Sequence, residues 1–263
     1  MARRSPLSDV QTVLLDLDGV LYVEDEAIPG AVDAIKELRA RGLKLRFVTN
    51  TTSRSRSQVV ARLARLGFLL EAETVLTPAS LAVRRCGAVG HKRVRLIVSP
   101  ALREDLAGLA EVRGDEQPDA IVMGDIGDGF TYDLLNSAFR QMEQGAELIA
   151  LQRNRFWRRQ DGLAMDVGAF VAALEYATGH QATVVGKPEK AFFTAALTDA
   201  HGDPGHALMI GDDIEADVGG AQAAGIHGVL VRTGKYREGA SDRSGVVPTA
   251  TVDSIADLPA LLA

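Results

Sequence analysis

The chain has 263 residues, 46% of them hydrophobic and 24% charged, with a formal net charge of −6 at pH 7. That length suits one large domain or two of moderate size, and the composition argues against wholesale disorder. The acidic balance and the 5% of aromatic residues exclude the positive field and stacking surface that nucleic-acid binding needs, and a single cysteine, Cys86, excludes an intrachain disulfide or a thiolate metal cluster.

The first third alternates strand and helix. A strand is predicted over 13–15, then a helix with Val32, Ile35 and Leu38 on one face that ends near Gly42, then a strand over 43–48. A helix over 55–66 follows, amphipathic through Val59, Leu63 and Leu66 and stopped by Gly67. Cys86 falls in a helical stretch and reads as a plain buried thiol. The middle carries a further set of strands, over 94–98, 120–123 and 147–151, with helices over 132–144 and 167–177. The run over 183–185 then returns the chain to the pattern of the first third, and 239–248 reads as a polar surface loop before a last short strand and helix. The expected fold class is α/β: a doubly wound parallel-sheet core of residues 1–77 and 184–263, with an inserted α/β domain over 78–183. No apolar run approaches the ~20 residues of a membrane span. The charged start, Met1 to Pro6, leads into no apolar signal core, so a cytoplasmic protein is expected.

Four polar signals each follow a run of strand-type residues. Asp16 and Asp18 follow Val13-Leu14-Leu15, Thr49 follows Leu45-Arg46-Phe47-Val48, Lys187 follows Thr183-Val184-Val185-Gly186, and Asp212-Asp213 follow Ala207-Leu208-Met209-Ile210-Gly211. The carboxyl ends of the strands in an open parallel sheet form its binding crevice, so residues far apart in sequence can converge there.

Each signal has its own chemistry. An aspartate can attack phosphorus and split one hard displacement into two easier ones, and a second acid two residues on can protonate the leaving oxygen and then activate water. Gly19 lets the backbone approach a phosphate. The hydroxyls, amide and N–H groups of Thr49-Asn50-Thr51-Thr52 suit phosphate oxygens at a helix start, though they would equally suit an ordinary helix cap. The Lys187 ammonium would neutralise a phosphoryl oxygen and the attacking carboxylate. Asp212, Asp213 and Asp217 pack acids that repel unless a divalent cation binds, and a few carboxylates with a substrate phosphate suit Mg2+. Taken separately, the last group would also serve as a doubly capped helix N-terminus.

In this order the motifs resemble those of the haloacid dehalogenase (HAD) superfamily. The likeness extends through Asp16 to Ala31, Phe47-Val48-Thr49-Asn50, Met165-Asp166-Val167-Gly168, Val185-Gly186-Lys187-Pro188 and Met209 to Asp213. It is to the branch (subclass IIA) with a large α/β C2-type cap between the second and third motifs. Within that branch, residues 165–179 and 231–236 look most like the phospholysine phosphohistidine inorganic pyrophosphate phosphatase group. The resemblance implies a Rossmann-like core and a hydrolase that cleaves a small phosphorylated metabolite. Asp16 would be the nucleophile and Asp18 the acid and base, Thr49, Asn50 and Lys187 would bind the phosphoryl group, and Asp16, Asp212 and the Asp18 carbonyl would hold Mg2+, with Asp213 and Asp217 in support.

The one concentrated basic stretch, Arg153-Asn154-Arg155-Phe156-Trp157-Arg158-Arg159, reads as a loop of the inserted domain. Either its Asn154 and Arg155 contact an anionic leaving group or it is an exposed surface or subunit contact, and a homodimer through the inserted domain is among the expectations. The alternatives are a phosphoramidate or pyrophosphate hydrolase, a dehalogenase (which would need neither Asp18 nor the Asp212-Asp213 pair) and a non-enzymatic phospho-acceptor module, whose acidic pair would precede the phosphorylated aspartate.

Overall fold

The strand Thr12–Asp16 is buried at every position, as a central parallel strand covered on both faces must be. In the computed structural model, which describes residues 6–114, 116–159 and 162–263 (backbone alone at 157–159), it lies in the middle of a six-stranded sheet. The order is Ala250–Val252, His227–Val231, Ala207–Gly211, Thr12–Asp16, Lys44–Val48 and Val75–Leu76, and every pairing is parallel. Chain order reverses at Thr12–Asp16: its successor Lys44–Val48 pairs on one side and the late strand Ala207–Gly211 on the other. That is a topological switch point, where open sheets place their ligand crevice.

The helices follow from spacing. Ala31–Ala40 buries Ala31, Ala34, Ile35 and Leu38, one stripe of a 3.6-residue period. These side chains join Val13, Leu15, Phe47, Leu63, Ile210 and Val229 in the core of the first unit, which comprises the residues up to Thr49, Ser57–Leu76 and Lys187–Ala263.

The second unit, Asn50–Arg56 and Thr77–Gly186, has its own five-stranded parallel sheet. The order is Thr183–Val184, Glu147–Ala150, Ala120–Met123, Arg93–Ile97 and Ala110–Glu111. Its core packs Ile97, Ile121, Met123 and Leu148 against Ala138, Met142, Val167 and Val171 of the helices Tyr132–Glu143 and Val167–Thr178. The helix Pro78–Val89 opens with a Thr77/Ser80 capping box and Pro78 and closes on Gly90 in the left-handed region, so both ends are written in the sequence. No helix among the described residues is long and apolar enough to cross a membrane.

Two expectations need correcting. The run at 183–185 does not return to the first sheet; Thr183–Val184 pairs with Glu147–Ala150 as an edge of the second. A two-residue parallel strand carries too little pattern to say which sheet it joins. Phe156–Arg159 is not a loop but a strand, antiparallel to Gly162–Met165. Residues 160 and 161, and the side chains of Trp157, Arg158 and Arg159, lie outside the described residues.

Cys86 is fully buried in Pro78–Val89, and burial, with the nearby charge of Glu147, pushes its thiol up to about 11. A thiol that is neither ionised nor exposed is inert. An aromatic disulfide reagent should therefore leave the native protein unlabelled and label the urea-unfolded chain at once. Immediate labelling of the native protein would contradict this burial.

Candidate active site

Asp16 is the last residue of its strand, and Asp212 follows directly on the neighbouring strand Ala207–Gly211. The pairing of Leu15 with Ile210 brings the two strand ends level. Beyond Asp212 the backbone makes a π-helical turn over Ile214–Gly219, the wide turn that recurs at functional sites. It swings Asp217 back over the strand end, and Gly211 makes the room: a Cβ on Gly211 would lie 2.3 Å from the Asp217 side chain.

The acids converge on Lys187, whose side chain is buried. Its Nζ donates to Asp16 Oδ1 at 2.7 Å and to Asp217 Oδ1 at 2.6 Å. Complete burial works against the ammonium, but Asp16 and Asp217 outweigh it and hold the group above the ordinary lysine range. Asp16, Asp212 and Asp217 each offer a carboxylate oxygen within 4.8 Å of the others, and all three are buried. Asp212 Oδ2 accepts the Lys235 N–H at 2.7 Å, whereas Asp212 Oδ1 is buried with no hydrogen-bond partner. An orphaned carboxylate oxygen beside two more acids is a donor set for a hard divalent cation.

The remaining candidates separate from this cluster. Asp213 caps the π-helical turn, accepting from the N–H groups of Glu215 (3.1 Å) and Ala216 (3.0 Å) and donating its own to Asp217 Oδ2 at 3.2 Å. Its carboxylate is not in the group with Asp16, which Asp217 joins instead. Asp18 is exposed on the loop after Asp16. Thr49 is buried at the end of Lys44–Val48, and its N–H is taken by the Leu76 carbonyl at 3.2 Å. The helix starts only at Arg56, so Thr49 does not sit at a helix N-terminus as its sequence suggests.

In the second unit, Asn50 is half-buried, and its Oδ1 would lie 2.8 Å from a Cβ on Gly186. Asn154 and Arg155 are exposed; the Asn154 carbonyl accepts from Gly168 at 3.1 Å and the Arg155 carbonyl from Asp166 at 3.2 Å. Arg153 is ion-paired with Glu175.

Residues 13–110 match the family model of haloacid dehalogenase-like hydrolases, and 184–258 a HAD-hydrolase-like model. The haloacid dehalogenase-like hydrolase domain-containing protein 2 of Bos taurus is 45% identical, over 97% of this chain and 95% of its own. The chain belongs to the haloacid dehalogenase-like hydrolases. Among such hydrolases it also resembles the phospholysine phosphohistidine inorganic pyrophosphate phosphatase of Xenopus laevis, 41% identical over 94% of this chain and 92% of that one. Among solved structures, the glycerol phosphate phosphatase of Mycobacterium tuberculosis in complex with magnesium is 30% identical, with a TM-score of 0.84 over 97% of this chain and 78% of that one.

Sequence reasoning passed over the contacts made by Thr233, Gly234 and Lys235. The signals were their place just after the strand His227–Val231 and the family likeness of 231–236, neither of which points to a contact, and none of the three carries a carboxylate.

The buried acids have a consequence for stability. Burial, then the charges of Asp16 and Asp217, push the Asp212 carboxyl up to about 8. Burial and Asp16 push Asp217 up to about 6, against the pull of Lys187. In the unfolded chain such groups titrate near 3.8. Between about pH 4 and about pH 8 the metal-free fold therefore holds more protons than the unfolded chain, and it loses stability as pH rises. In EDTA the urea midpoint should fall from about pH 5 to about pH 8.5, and less steeply in Asp212→Asn. Parallel pH curves for the two proteins would contradict the buried repulsion.

Proposed function

We propose that the protein is a Mg2+-dependent phosphatase that hydrolyses a small phosphorylated metabolite through an aspartyl-phosphate intermediate. One observation carries this reading: Lys187 clasps one oxygen of Asp16, while Asp212, whose Oδ1 is buried without a partner, belongs to the same carboxylate cluster. The magnesium complex of the related phosphatase supports the choice of ion.

Asp16, the Asp18 carbonyl and Asp212 would hold the ion. When bound, it would offset the charge that the acids present to an incoming phosphate dianion. Asp16 attacks phosphorus through the oxygen not engaged by Lys187. As the P–O bond to the leaving group breaks, Asp18 gives that oxygen a proton; its exposure leaves it able to reach a bound ester. The deprotonated Asp18 then takes a proton from water, whose oxygen attacks phosphorus and releases inorganic phosphate from Asp16. Thr49, Asn50 and Lys187 orient the phosphoryl oxygens, Asp217 holds Lys187 in place, and Asp213 holds the turn that carries Asp217. The first unit is read as the catalytic core and the inserted unit as the cap domain, with Asn154 and Arg155 assigned to substrate identity. A cytoplasmic location and a homodimer through the inserted unit belong to the same reading.

Asp16→Asn should lower kcat by about 10^3-fold or more while far-UV circular dichroism stays unchanged. EDTA should stop wild-type turnover and Mg2+ restore it; full activity in either test overturns the scheme. Asp18→Asn should cost about 10^2–10^4-fold on an alkyl phosphate and much less on p-nitrophenyl phosphate, whose leaving group needs no proton. A second reading, cleavage of P–N or P–O–P bonds, draws on the name of the Xenopus relative. It predicts a higher kcat/KM for imidodiphosphate or pyrophosphate than for any monoester in a metabolite panel.

A further inference from the structure

The strand His227–Val231 runs beside Ala207–Gly211, and the residues just after it reach the carboxylate cluster. Three contacts connect them to it. Thr233 Oγ1 donates to the Gly19 carbonyl, on the loop that begins at Asp16. The Lys235 N–H donates to Asp212 Oδ2 at 2.7 Å. Between them Gly234, at φ +61°, packs so closely that a Cβ there would fall 2.1 Å from Asp212 Oδ2 and 2.5 Å from the Gly19 Cα. Gly19 closes the other side at φ +81°, where a Cβ would fall 1.9 Å from the same oxygen. Asp212 Oδ2 thus sits in a slot between two glycines and under an N–H. Asp212 Oδ1 is the oxygen left buried without a partner.

We infer that the turn of Thr233, Gly234 and Lys235 is a positioning device for the cation site. It ties the Asp16 loop to Asp212 through Gly19 and turns Asp212 so that its unpartnered oxygen stays in the cluster. The inference rests on the proposed reading of Asp16 and Asp212 as cation ligands. The contacts that make the device, the Thr233 hydroxyl, the Gly234 backbone and the Lys235 N–H, act on Asp212 and Gly19. The consequence is specific because Mg2+ tolerates little departure from octahedral geometry, and losing a contact that orients a ligand typically weakens metal binding about 10–100-fold.

The test compares glycines with matched backbone conformations. Gly245 is also left-handed, at φ +71°, but a Cβ there meets nothing within 4 Å, so Gly245→Ala isolates the backbone cost. The first readout is the Mg2+ concentration that gives half of the Mg2+-dependent rise in Tm, with no substrate present. The second is kcat and KM for p-nitrophenyl phosphate across a Mg2+ titration. Gly234→Ala should need about 10–100-fold more Mg2+ in both. Gly245→Ala should keep the wild-type midpoint, whatever it loses in Tm. At saturating Mg2+ the KM of Gly234→Ala should return toward wild type. Thr233→Val, which removes the hydroxyl at constant shape, should shift the midpoint in the same direction, and Thr233→Ser should restore it.

If Gly234→Ala does not fold, the Thr233 pair carries the comparison. Wild-type Mg2+ midpoints in both Gly234→Ala and Thr233→Val, or an equal shift in Gly245→Ala, would overturn the positioning role while leaving the cation site standing. A wild-type protein whose Tm and activity ignore Mg2+ would instead overturn the cation reading, and the positioning role with it.

Discussion

The Lys187 ammonium, gripped between Asp16 and Asp217, is the interaction on which the rest of the site depends. Removing an ion from water costs several kcal/mol even after relaxation, and a buried pair recovers that only with close geometry and filled hydrogen bonds. Here one ammonium serves two carboxylates at 2.6–2.7 Å, and a third, Asp212, is buried beside them with only the more distant charge of Lys235 to offset it. Three carboxylates against one ammonium leave two formal negative charges. The charge of Lys235 offsets part of that deficit, and a divalent cation would offset the rest. Burial first, and then the same imbalance, pushes Asp212 and Asp217 up from 3.8. The repulsion that weakens the metal-free fold is the same one that a bound cation would relieve.

Much of this was legible in the sequence because strand ends announce themselves. A buried parallel strand must be a continuous apolar run, so Val13-Leu14-Leu15 and Leu208-Met209-Ile210 fixed where Asp16 and Asp212 would stand. The less legible features depend on tertiary context. Thr183–Val184 lies in the second sheet because its pairing with Glu147–Ala150 decides membership, and two residues cannot encode that locally. Asp213 and Asp217 looked equivalent at a spacing of four. The wide turn separates them, spending Asp213 on capping N–H groups and delivering Asp217 to Lys187. The strand Phe156–Arg159 mixes aromatic and basic residues, and it pairs only with Gly162–Met165, so its sequence carries little strand pattern to read.

Glycines explain how so many acids fit in so little space. Gly19 was expected to admit a phosphate; in the structure it admits Asp212. Gly211 does the same for Asp217, and the approach in each case is closer than any side chain allows. A carboxylate cluster at a strand end thus depends on the backbone beside it lacking Cβ atoms as much as on the acids themselves. The acidic residues alone therefore account for the cluster's charge but not for what holds it together.

The basic stretch of the inserted unit can be narrowed by the same accounting. Arg153 is committed to Glu175, and Gln152 is committed to Asp166, which in turn caps the helix Val167–Thr178. Gly168 lies so close that a Cβ on it would be 2.3 Å from the Asn154 carbonyl. The base of the segment is therefore pinned to a helix start rather than loose. The Arg155 guanidinium has no carboxylate partner among the described residues. A rigid base under the Arg155 guanidinium leaves little ordering entropy to be lost when it meets an anionic group. A freely moving run of arginines would attract any anion and distinguish none. Under the proposed reading of the inserted unit, Arg155 on its fixed backbone is the group that would discriminate among anionic substrates.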